Sequence, residues 1–369
     1  MTGESYDVAV IGGGPGGSVA ALAAARRGLR VVLYEPQVGP IDKVCGEGIM
    51  AAGVDSLRQL GLTEVVEQAR AFDHIRYMIP GTRPMTIDLP EPGLAVERPR
   101  LQAALEATLA SECSVRRIHE RSHATRIEGG YLVSSNGSEI QARTLIVADG
   151  GGGATASWMR HETGGGTRLG VRARFEAAEE LESVEVHLGG PCEIYLTPLP
   201  DNRVNAALLF NGLPTGVRGA RALLDWGMDC MPGVQRVLGE LHTAPASLPL
   251  GRKPPHTMAE NGVFIIGDAG GGADPILGCG VTIAIRSGVA AACAAELVVQ
   301  GDRSGRPERD YAACYIRETR ARRALAATLR RLAPHARVMR GIATVGRLFP
   351  GTLKPLVGIV SGTANSAAA

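Results

Sequence analysis

The sequence is poor in aromatic residues and nearly balanced in charge. Phe, Trp and Tyr make up 4% of its 369 residues, which counts against a stacking pocket for a large planar ring. Lys and Arg number 39 against 37 Asp and Glu, a formal charge of +2. Whole-chain charge therefore gives no reason to expect nucleic-acid binding.

The chain also lacks the patterns of a secreted or membrane-spanning protein. Its seven cysteines are an odd number without a C-x-x-C pair, which excludes a fully paired disulfide scaffold and a zinc ribbon. No basic region with an apolar stretch precedes the first strand, so we expect no signal peptide. The most apolar run, 281–299, is interrupted by Arg286 and Glu296 and falls short of an uncharged span. We expect no metal site and a cytoplasmic protein.

The first strongly patterned stretch runs from Asp7 to Glu35. An apolar strand is followed by Gly12, Gly14 and Gly17 in G-x-G-x-x-G spacing, then by an alanine-rich helix and a second strand that ends at Glu35. These glycines permit a tight turn, a close approach to a pyrophosphate and close helix packing. A carboxylate about twenty residues on accepts hydrogen bonds from a ribose. The stretch predicts a dinucleotide site.

Three further segments carry small or polar residues where a ligand would approach. Cys45-Gly46-Glu47-Gly48 is a glycine-flanked loop, and Arg98 stands just before an apolar helix. Later, Asp149-Gly150 follows a strand, and Gly267-Asp268 follows another. Taken alone, the loop also fits an ordinary glycine turn, and Arg98 also fits a solvated surface arginine.

In order and spacing these motifs resemble the FAD-dependent superfamily of aromatic hydroxylases, prenyl reductases and flavin halogenases, whose archetype is para-hydroxybenzoate hydroxylase. The resemblance covers residues 5–300. It departs from typical hydroxylases at Gly271, where they carry His, and the only tryptophans, Trp158 and Trp226, do not form the halogenase signature. The pattern is closer to the prenyl-reductase and polyketide-tailoring branch, and halogenation is not expected.

The resemblance implies FAD as cofactor and NADPH or NADH as reductant. In the family the first motif holds the ADP part, the Asp-Gly motif touches FAD and the nicotinamide donor, and the Gly-Asp motif holds the ribityl chain. Carried onto this sequence, the implied cofactor-binding residues are Gly12, Gly14, Pro15, Gly17, Glu35, Cys45, Gly46, Arg98, Asp149, Gly150, Gly267, Asp268, Pro275, Gly278 and Gly280. Ser157 to Arg160 complete the middle motif.

The predicted fold is α/β: a Rossmann-like FAD-binding domain of the para-hydroxybenzoate hydroxylase type (GR2-type), with an inserted, mainly antiparallel β substrate domain and a helical C-terminal tail. The FAD-binding domain is expected to be discontinuous, from residues 1–75, 95–165 and 250–300. Residues 76–94 and 166–249 form the substrate domain, with helices expected over 219–241. Residues 301–369 form the tail.

Candidate catalytic residues are fewer than cofactor contacts. Tyr195 and Arg172 lie on strands expected to floor the substrate site. Cys45 is placed by the resemblance beside the flavin, with Cys279 nearby, as a thiol proton donor or one half of a redox pair. Two unrelated small residues are the competing interpretation. None of the scattered histidines is assigned as a base.

Two reactions stay open. The favoured one is NAD(P)H-dependent monooxygenation, by hydroxylation or epoxidation, of an aromatic or polyketide-like secondary metabolite through a flavin hydroperoxide. The alternative is reduction or dehydrogenation of an isoprenoid or other C=C bond, and a second alternative is a non-catalytic flavin-binding partner. Oxygen dependence separates the two reactions.

The tail is basic, and its arginines indicate a possible contact besides a solvated helical face. We expect a small-molecule substrate, either free or bound to a carrier protein, and no nucleic acid. The basic helices favour an acidic acyl-carrier protein or a peripheral, anionic membrane surface. Leu348-Phe349 and the run 356–360 would supply apolar contacts.

Overall fold

A computed structural model describes residues 4–152, 168–250 and 254–362. The predicted segment Ser157 to Arg160 lies outside these residues. The helices are α1 Pro15–Ala25, α2 Ala51–Gln59, α3 Thr63–Glu67, α4 Arg98–Ala110, α5 Ala220–Asp229, α6 Gly280–Val299, α7 Arg306–Leu332, α8 Ala336–Leu348 and α9 Lys354–Ser361.

The strands alternate with these helices and gather into two sheets. They are β1 Ser5–Ile11, β2 Val31–Tyr34, β3 Gly48–Ile49, β4 Arg70–Met78, β5 Met85–Ala95, β6 Val115–Ile118, β7 His123–Ile127, β8 Gly130–Ser135, β9 Ser138–Val147, β10 Arg168–Ala177, β11 Val184–His187, β12 Cys192–Leu199, β13 Arg203–Phe210, β14 Leu238–Leu241, β15 Ala246–Leu250, β16 Ala259–Glu260 and β17 Val263–Ile265.

The first sheet has a parallel centre. Its order is β16-β17-β9-β1-β2-β6, with β7 and β8 continuing antiparallel from β9. Strand β1 pairs in parallel with β2 and β9, and β9 pairs in parallel with β17. These strands are apolar and almost wholly buried, as expected where helices cover both faces of a sheet. The carboxyl ends of β1, β9 and β17 therefore meet at one edge.

Two small-residue helices cover this edge. In α1 every residue is buried. A glycine of α6 lets the two helices approach closely, because a Cβ at Gly288 would lie 2.6 Å from the Gly16 carbonyl oxygen of α1. Among the described residues, α6 alone is long and apolar enough to cross a membrane. Its close packing against α1 instead identifies it as a core helix of the first domain.

The second sheet is antiparallel except where β11 runs parallel to β4. Its order is β14-β10-β13-β12-β11-β4-β5-β3, with β15 beside β10. Strands β4 and β5 form a hairpin that begins at Arg70. The second sheet therefore includes residues before position 76, where the substrate domain was predicted to start. The expectation of helices throughout 219–241 was wrong at its end, because Leu238 and Leu241 pair with β10 as a strand.

Two apolar cores support the two sheets. The larger core joins the first sheet, α1, α4 and α6, and continues to Met339 and Ala343 of the tail. The smaller core lies between the second sheet and α5, around Phe210 and Leu224. The inner face of the second sheet is left to meet the glycine-rich edge of the first.

Candidate functional site

The turn between β1 and α1 can be built only from glycine. Gly12 has φ +103°, and a Cβ there would lie 2.4 Å from the Ala148 carbonyl oxygen. A Cβ on Gly17 would lie 1.8 Å from the Gly12 carbonyl oxygen. The start of α1 is thereby drawn against the turn, and its unpaired N–H groups are available to phosphate oxygens.

Glu35 closes this turn from the end of β2. Its carboxylate accepts hydrogen bonds from the N–H groups of Gly13, at 2.8 Å, and Gln37, at 3.0 Å. The acid is therefore held at the mouth of the glycine turn with acceptor positions remaining on both oxygens. This is where the ribose of a dinucleotide is expected.

Two more strand ends converge on the same cavity. Asp149 and Gly150 follow β9, while Gly267 and Asp268 follow β17. The nearby turn to Gly278, in the left-handed conformation with φ +63°, leads to the first residue of α6. The sequence motifs that are far apart along the chain are therefore brought together by three parallel strands.

The cavity bounded by these segments measures about 310 Å³. Of the predicted residues, it is lined by Gly12, Gly14, Pro15, Glu35, Cys45, Gly46, Arg98, Asp149, Gly150, Tyr195, Gly267, Asp268, Pro275, Gly278 and Gly280. Gly17 packs behind the turn, and Arg172 does not line the cavity.

Arg98 fits an anionic cofactor. It begins α4, is 9% exposed, and lies over the glycine turn, with one Nη 3.4 Å from a Cβ built on Gly14. Among the described residues, no atom accepts a hydrogen bond from its Nε. Burial lowers the pKa of this guanidinium. A buried donor without an acceptor carries a cost of about 1–3 kcal/mol, which a phosphate or flavin oxygen would remove.

The loop of residues 42–48, called here the cysteine loop, is held by buried ion pairs from β10. Arg174 donates from Nε to both Glu47 carboxylate oxygens at 3.1 Å and from Nη2 to Asp42 at 2.8 Å. Glu47 is 2% exposed and also accepts from the Arg98 N–H at 2.9 Å. Burial by itself lowers the Arg174 pKa, but the bonds to Glu47 and Asp42 outweigh it and raise that pKa above its ordinary value.

Arg172 belongs to this ion-pair group. The structure does not place Arg172 where it was expected to meet substrate. Its Nη2 lies 2.5 Å from Oδ1 of Asp42, and its side chain is 1% exposed. A buried guanidinium requires a counter-charge, and the cysteine loop supplies it. Two neutral side chains add to the anchoring: Thr197 donates to the Gly46 carbonyl and Asn205 to the Cys45 carbonyl.

Sequence reasoning overlooked Glu47, Asp42, Arg174, Thr197 and Asn205 as site-building residues. A signal existed for one of them. Arg174 follows Arg172 by two residues on a strand, so the two guanidinium groups had to lie on one face. The partners in the loop were not visible locally, because Glu47 and Arg174 are 127 residues apart.

Tyr195 anchors the opposite side of the cavity. Its hydroxyl donates to the Ile276 carbonyl at 3.0 Å, and burial raises the pKa of this phenol well above its ordinary value. Beside it, Arg168 forms two ion pairs: its Nη2 lies 2.7 Å from Oε1 of Glu193, and its Nη1 lies 2.5 Å from Oδ1 of Asp274. The second sheet therefore positions the turn before α6 as well as the cysteine loop.

Cys45 lies on the cavity wall between these anchors. The Glu47 N–H lies 3.3 Å from its Sγ, and burial raises the pKa of the thiol. Cys279 is 1% exposed and does not line the cavity, and burial raises its pKa to about 11. The two cysteines therefore have different settings, and only Cys45 can meet a ligand in this cavity.

Comparison with known families agrees with this geometry. Residues 6–184 match the family described as "Pyridine nucleotide-disulphide oxidoreductase". The chain is 28% identical over 332 residues to digeranylgeranylglycerophospholipid reductase 1 of Methanothermobacter thermautotrophicus, covering 83% of this chain and 81% of the relative. It is 28% identical over 325 residues to the menaquinone reductase of Mycobacterium tuberculosis, covering 78% and 76%.

Solved structures share the fold at low identity. The flavin-dependent brominase Bmp2 matches with a TM-score of 0.81 at 17% identity, over 97% of this chain and 94% of the other. A geranylgeranyl bacteriochlorophyll reductase-like protein of Thermoplasma acidophilum gives 0.73 at 20%, over 96% and 99%. PqsL of Pseudomonas aeruginosa, a probable FAD-dependent monooxygenase, gives 0.74 at 19%, over 92% and 99%.

The convergent glycine turns fit a dinucleotide cofactor, and the two-sheet fold is the one found in flavin-dependent enzymes. The predicted α/β architecture is confirmed, and the matching family model and the shared fold support FAD as the cofactor. The chain shares its fold with structures of a flavin-dependent brominase, a probable FAD-dependent monooxygenase and a geranylgeranyl reductase-like protein.

Proposed function

We propose that this FAD-dependent oxidoreductase reduces a carbon–carbon double bond in an isoprenoid-like, apolar substrate. The observation that carries the proposal is the Cys45 thiol on the wall of a cavity that is also lined by several apolar side chains. Two of these residues are Val44, in the cysteine loop, and Ile41, just before it. The others, Val171, Ala207, Leu209 and Leu250, belong to the second sheet. Such a wall favours an alkene chain over a polar substrate.

Reduction of a double bond requires a hydride and a proton. Bound FAD, reduced by NADPH or NADH, would supply the hydride to one alkene carbon. The second carbon takes the proton of the Cys45 thiol, and solvent returns a proton to the thiolate. Because burial raises the pKa of Cys45, the thiol holds its proton at neutral pH. The sequence relatives, named as reductases of a geranylgeranyl lipid and of menaquinone, support this choice.

Monooxygenation of an aromatic or polyketide-like molecule is the second candidate. The same apolar wall favours it, because an oxygenating flavin enzyme must exclude water from the reacting centre. Tyr195 and Cys45 would then orient the substrate, and neither would need to transfer a proton. The shared fold of a probable monooxygenase is consistent with this candidate and does not choose between the two.

Oxygen dependence provides the test of the proposed reaction. The purified FAD-loaded protein is incubated with geranylgeraniol and with dithionite under strict anaerobiosis. We expect a product that has gained two hydrogen atoms, detected by mass spectrometry. A product that forms only with NADPH in air and has gained one oxygen atom would show that the protein is a monooxygenase and not a reductase.

Replacement of Cys45 by alanine is expected to lower the turnover of the reductase by about 10²–10⁴-fold, the usual contribution of a positioned acid, while the protein keeps its FAD. Because the acidic form is required and the thiol pKa is raised, wild-type activity should persist to higher pH than an ordinary thiol would allow. Cys279→Ala is the matched control and should turn over normally. Undiminished turnover of Cys45→Ala would remove Cys45 from the mechanism.

A further inference from the structure

The C-terminal helices carry a one-sided charge. From residue 319 to the end the sequence contains nine Lys and Arg residues and no Asp or Glu. Some of these cations are used inside the fold: Arg322 pairs with Glu318, and Arg323 donates to the carbonyls of Gly270 and Gly272. The remaining cations on α8 and α9 are exposed and have no acidic neighbour in their own segment.

Helix α8 has apolar residues on its inner and outer faces. Met339, Ala343 and Gly346 are buried against the fold. The outer residues Val338 and Val345 are 43% and 53% exposed. Leu348 and Phe349, at the end of the helix, are 63% and 62% exposed. A helix that only covers a core would carry polar residues at these outer positions.

The exposed apolar residues lie beside exposed arginines. At 3.6 residues per turn, Val338, Val345 and Leu348 fall on one stripe. Arg337, Arg340 and Arg347 fall together on the adjoining solvent-facing side, and all three are exposed. Leu356, 40% exposed, and Lys354 continue the same combination on α9. Apolar groups beside cations are the pattern of a helix that lies in the interface of a lipid bilayer.

We propose that this surface, formed by the outer face of α8 and the start of α9, docks the protein onto an anionic lipid membrane. The positive charges of these side chains are opposite to those of the acidic headgroups, and each cation adds to the attraction near the membrane surface. The aliphatic and aromatic side chains match the acyl region below them. Exposed cations and exposed apolar side chains on adjacent helices can lie in a lipid surface without a complementary groove in a partner protein.

Helix α7, which precedes the docking surface in the chain, approaches the cavity near its C-terminal end. Arg330, near the end of α7, lies 3.6 Å from Asp274. The neighbours of Asp274, Ala273 and Pro275, line the cavity. Docking itself depends on neither proposed reaction, so its failure would leave the reductase proposal untouched.

Vesicle flotation of the FAD-loaded full-length protein tests the proposal. We expect binding to vesicles of equal parts phosphatidylcholine and phosphatidylglycerol, little binding to pure phosphatidylcholine, and weakening as salt rises. Since each basic residue near such a surface contributes about fivefold, Arg340→Glu/Arg347→Glu should reduce the partition coefficient by at least about 25-fold. Leu348→Ser/Phe349→Ser should reduce it by about tenfold or more.

Matched controls sit elsewhere on the molecule. Leu213 is 61% exposed, and the side chains of Arg221 and Arg306 are 67% and 75% exposed, so Leu213→Ser and Arg221→Glu/Arg306→Glu should bind like wild type. All variants should retain FAD absorbance, which shows that they fold. Absence of wild-type binding to anionic vesicles, or equal losses in the controls, would overturn the proposal. So would binding to an acidic acyl-carrier protein without vesicle binding, which would assign the surface to protein docking.

Discussion

Replacement of Glu47 by alanine is expected to lower the free energy of unfolding by about 3–5 kcal/mol, the usual cost of removing one partner from a buried ion pair. The carboxylate is 2% exposed and holds both Arg174 and the Arg98 N–H. Its loss leaves a buried guanidinium with Asp42 and the more distant Glu97 as the acids near it. Urea unfolding at a fixed, saturating FAD concentration measures the change.

Two comparison variants distinguish the effect of losing the ion pair from the effect of the backbone conformation at residue 47. Glu47 has φ +59°, a conformation in which glycine is less strained than alanine, so Glu47→Gly should be about 1 kcal/mol more stable than Glu47→Ala. Glu180→Ala removes the partner of Arg70 at an exposed position and should cost at most about 1 kcal/mol. Equal effects of Glu47→Ala and Glu180→Ala would show that the buried network does not support the fold.

Replacement of Gly17 by alanine is expected to leave a protein that purifies without FAD. The new Cβ would lie 1.8 Å from the Gly12 carbonyl oxygen, so α1 must move away from the glycine turn. Losing two hydrogen bonds to a charged pyrophosphate, at about 1.5–3 kcal/mol each, weakens FAD binding by more than about 100-fold. Flavin absorbance and fluorescence titration of the apoprotein measure the affinity.

A helical glycine in open space provides the control for this effect. Gly341 lies within α8, and no atom stands within 4 Å of its added Cβ. Gly341→Ala should keep FAD and gain up to about 1 kcal/mol of stability from the higher helix propensity of alanine. If Gly17→Ala also retained FAD at wild-type affinity, the role of this turn in holding the pyrophosphate would be wrong.

Local patterns were enough to predict the elements that bind the nucleotide. The strand, the glycine turn and α1 follow one another within thirty residues. The positive φ of Gly12 is set by the local geometry of this turn. The hairpin turn between β8 and β9 is a local feature of the same kind, since Asn136 and Gly137 both have positive φ. Where an element owed its form to distant pairing, prediction failed: residues 238–241 form a strand because Phe175 and Ala177 pair with them.

The sequence by itself determined the cofactor class, the parallel sheet and the three turns that meet at its edge, because glycine spacing and apolar runs act over a few residues. Only the tertiary structure decided that Arg172 and Arg174 hold the cysteine loop, that Tyr195 holds the turn before α6, and that Cys45 alone of the two candidate thiols faces the cavity. The physical reason is that a buried charge needs a counter-charge nearby, and the residue that supplies it can be far away in the sequence. For Arg174 that partner stands 127 residues away.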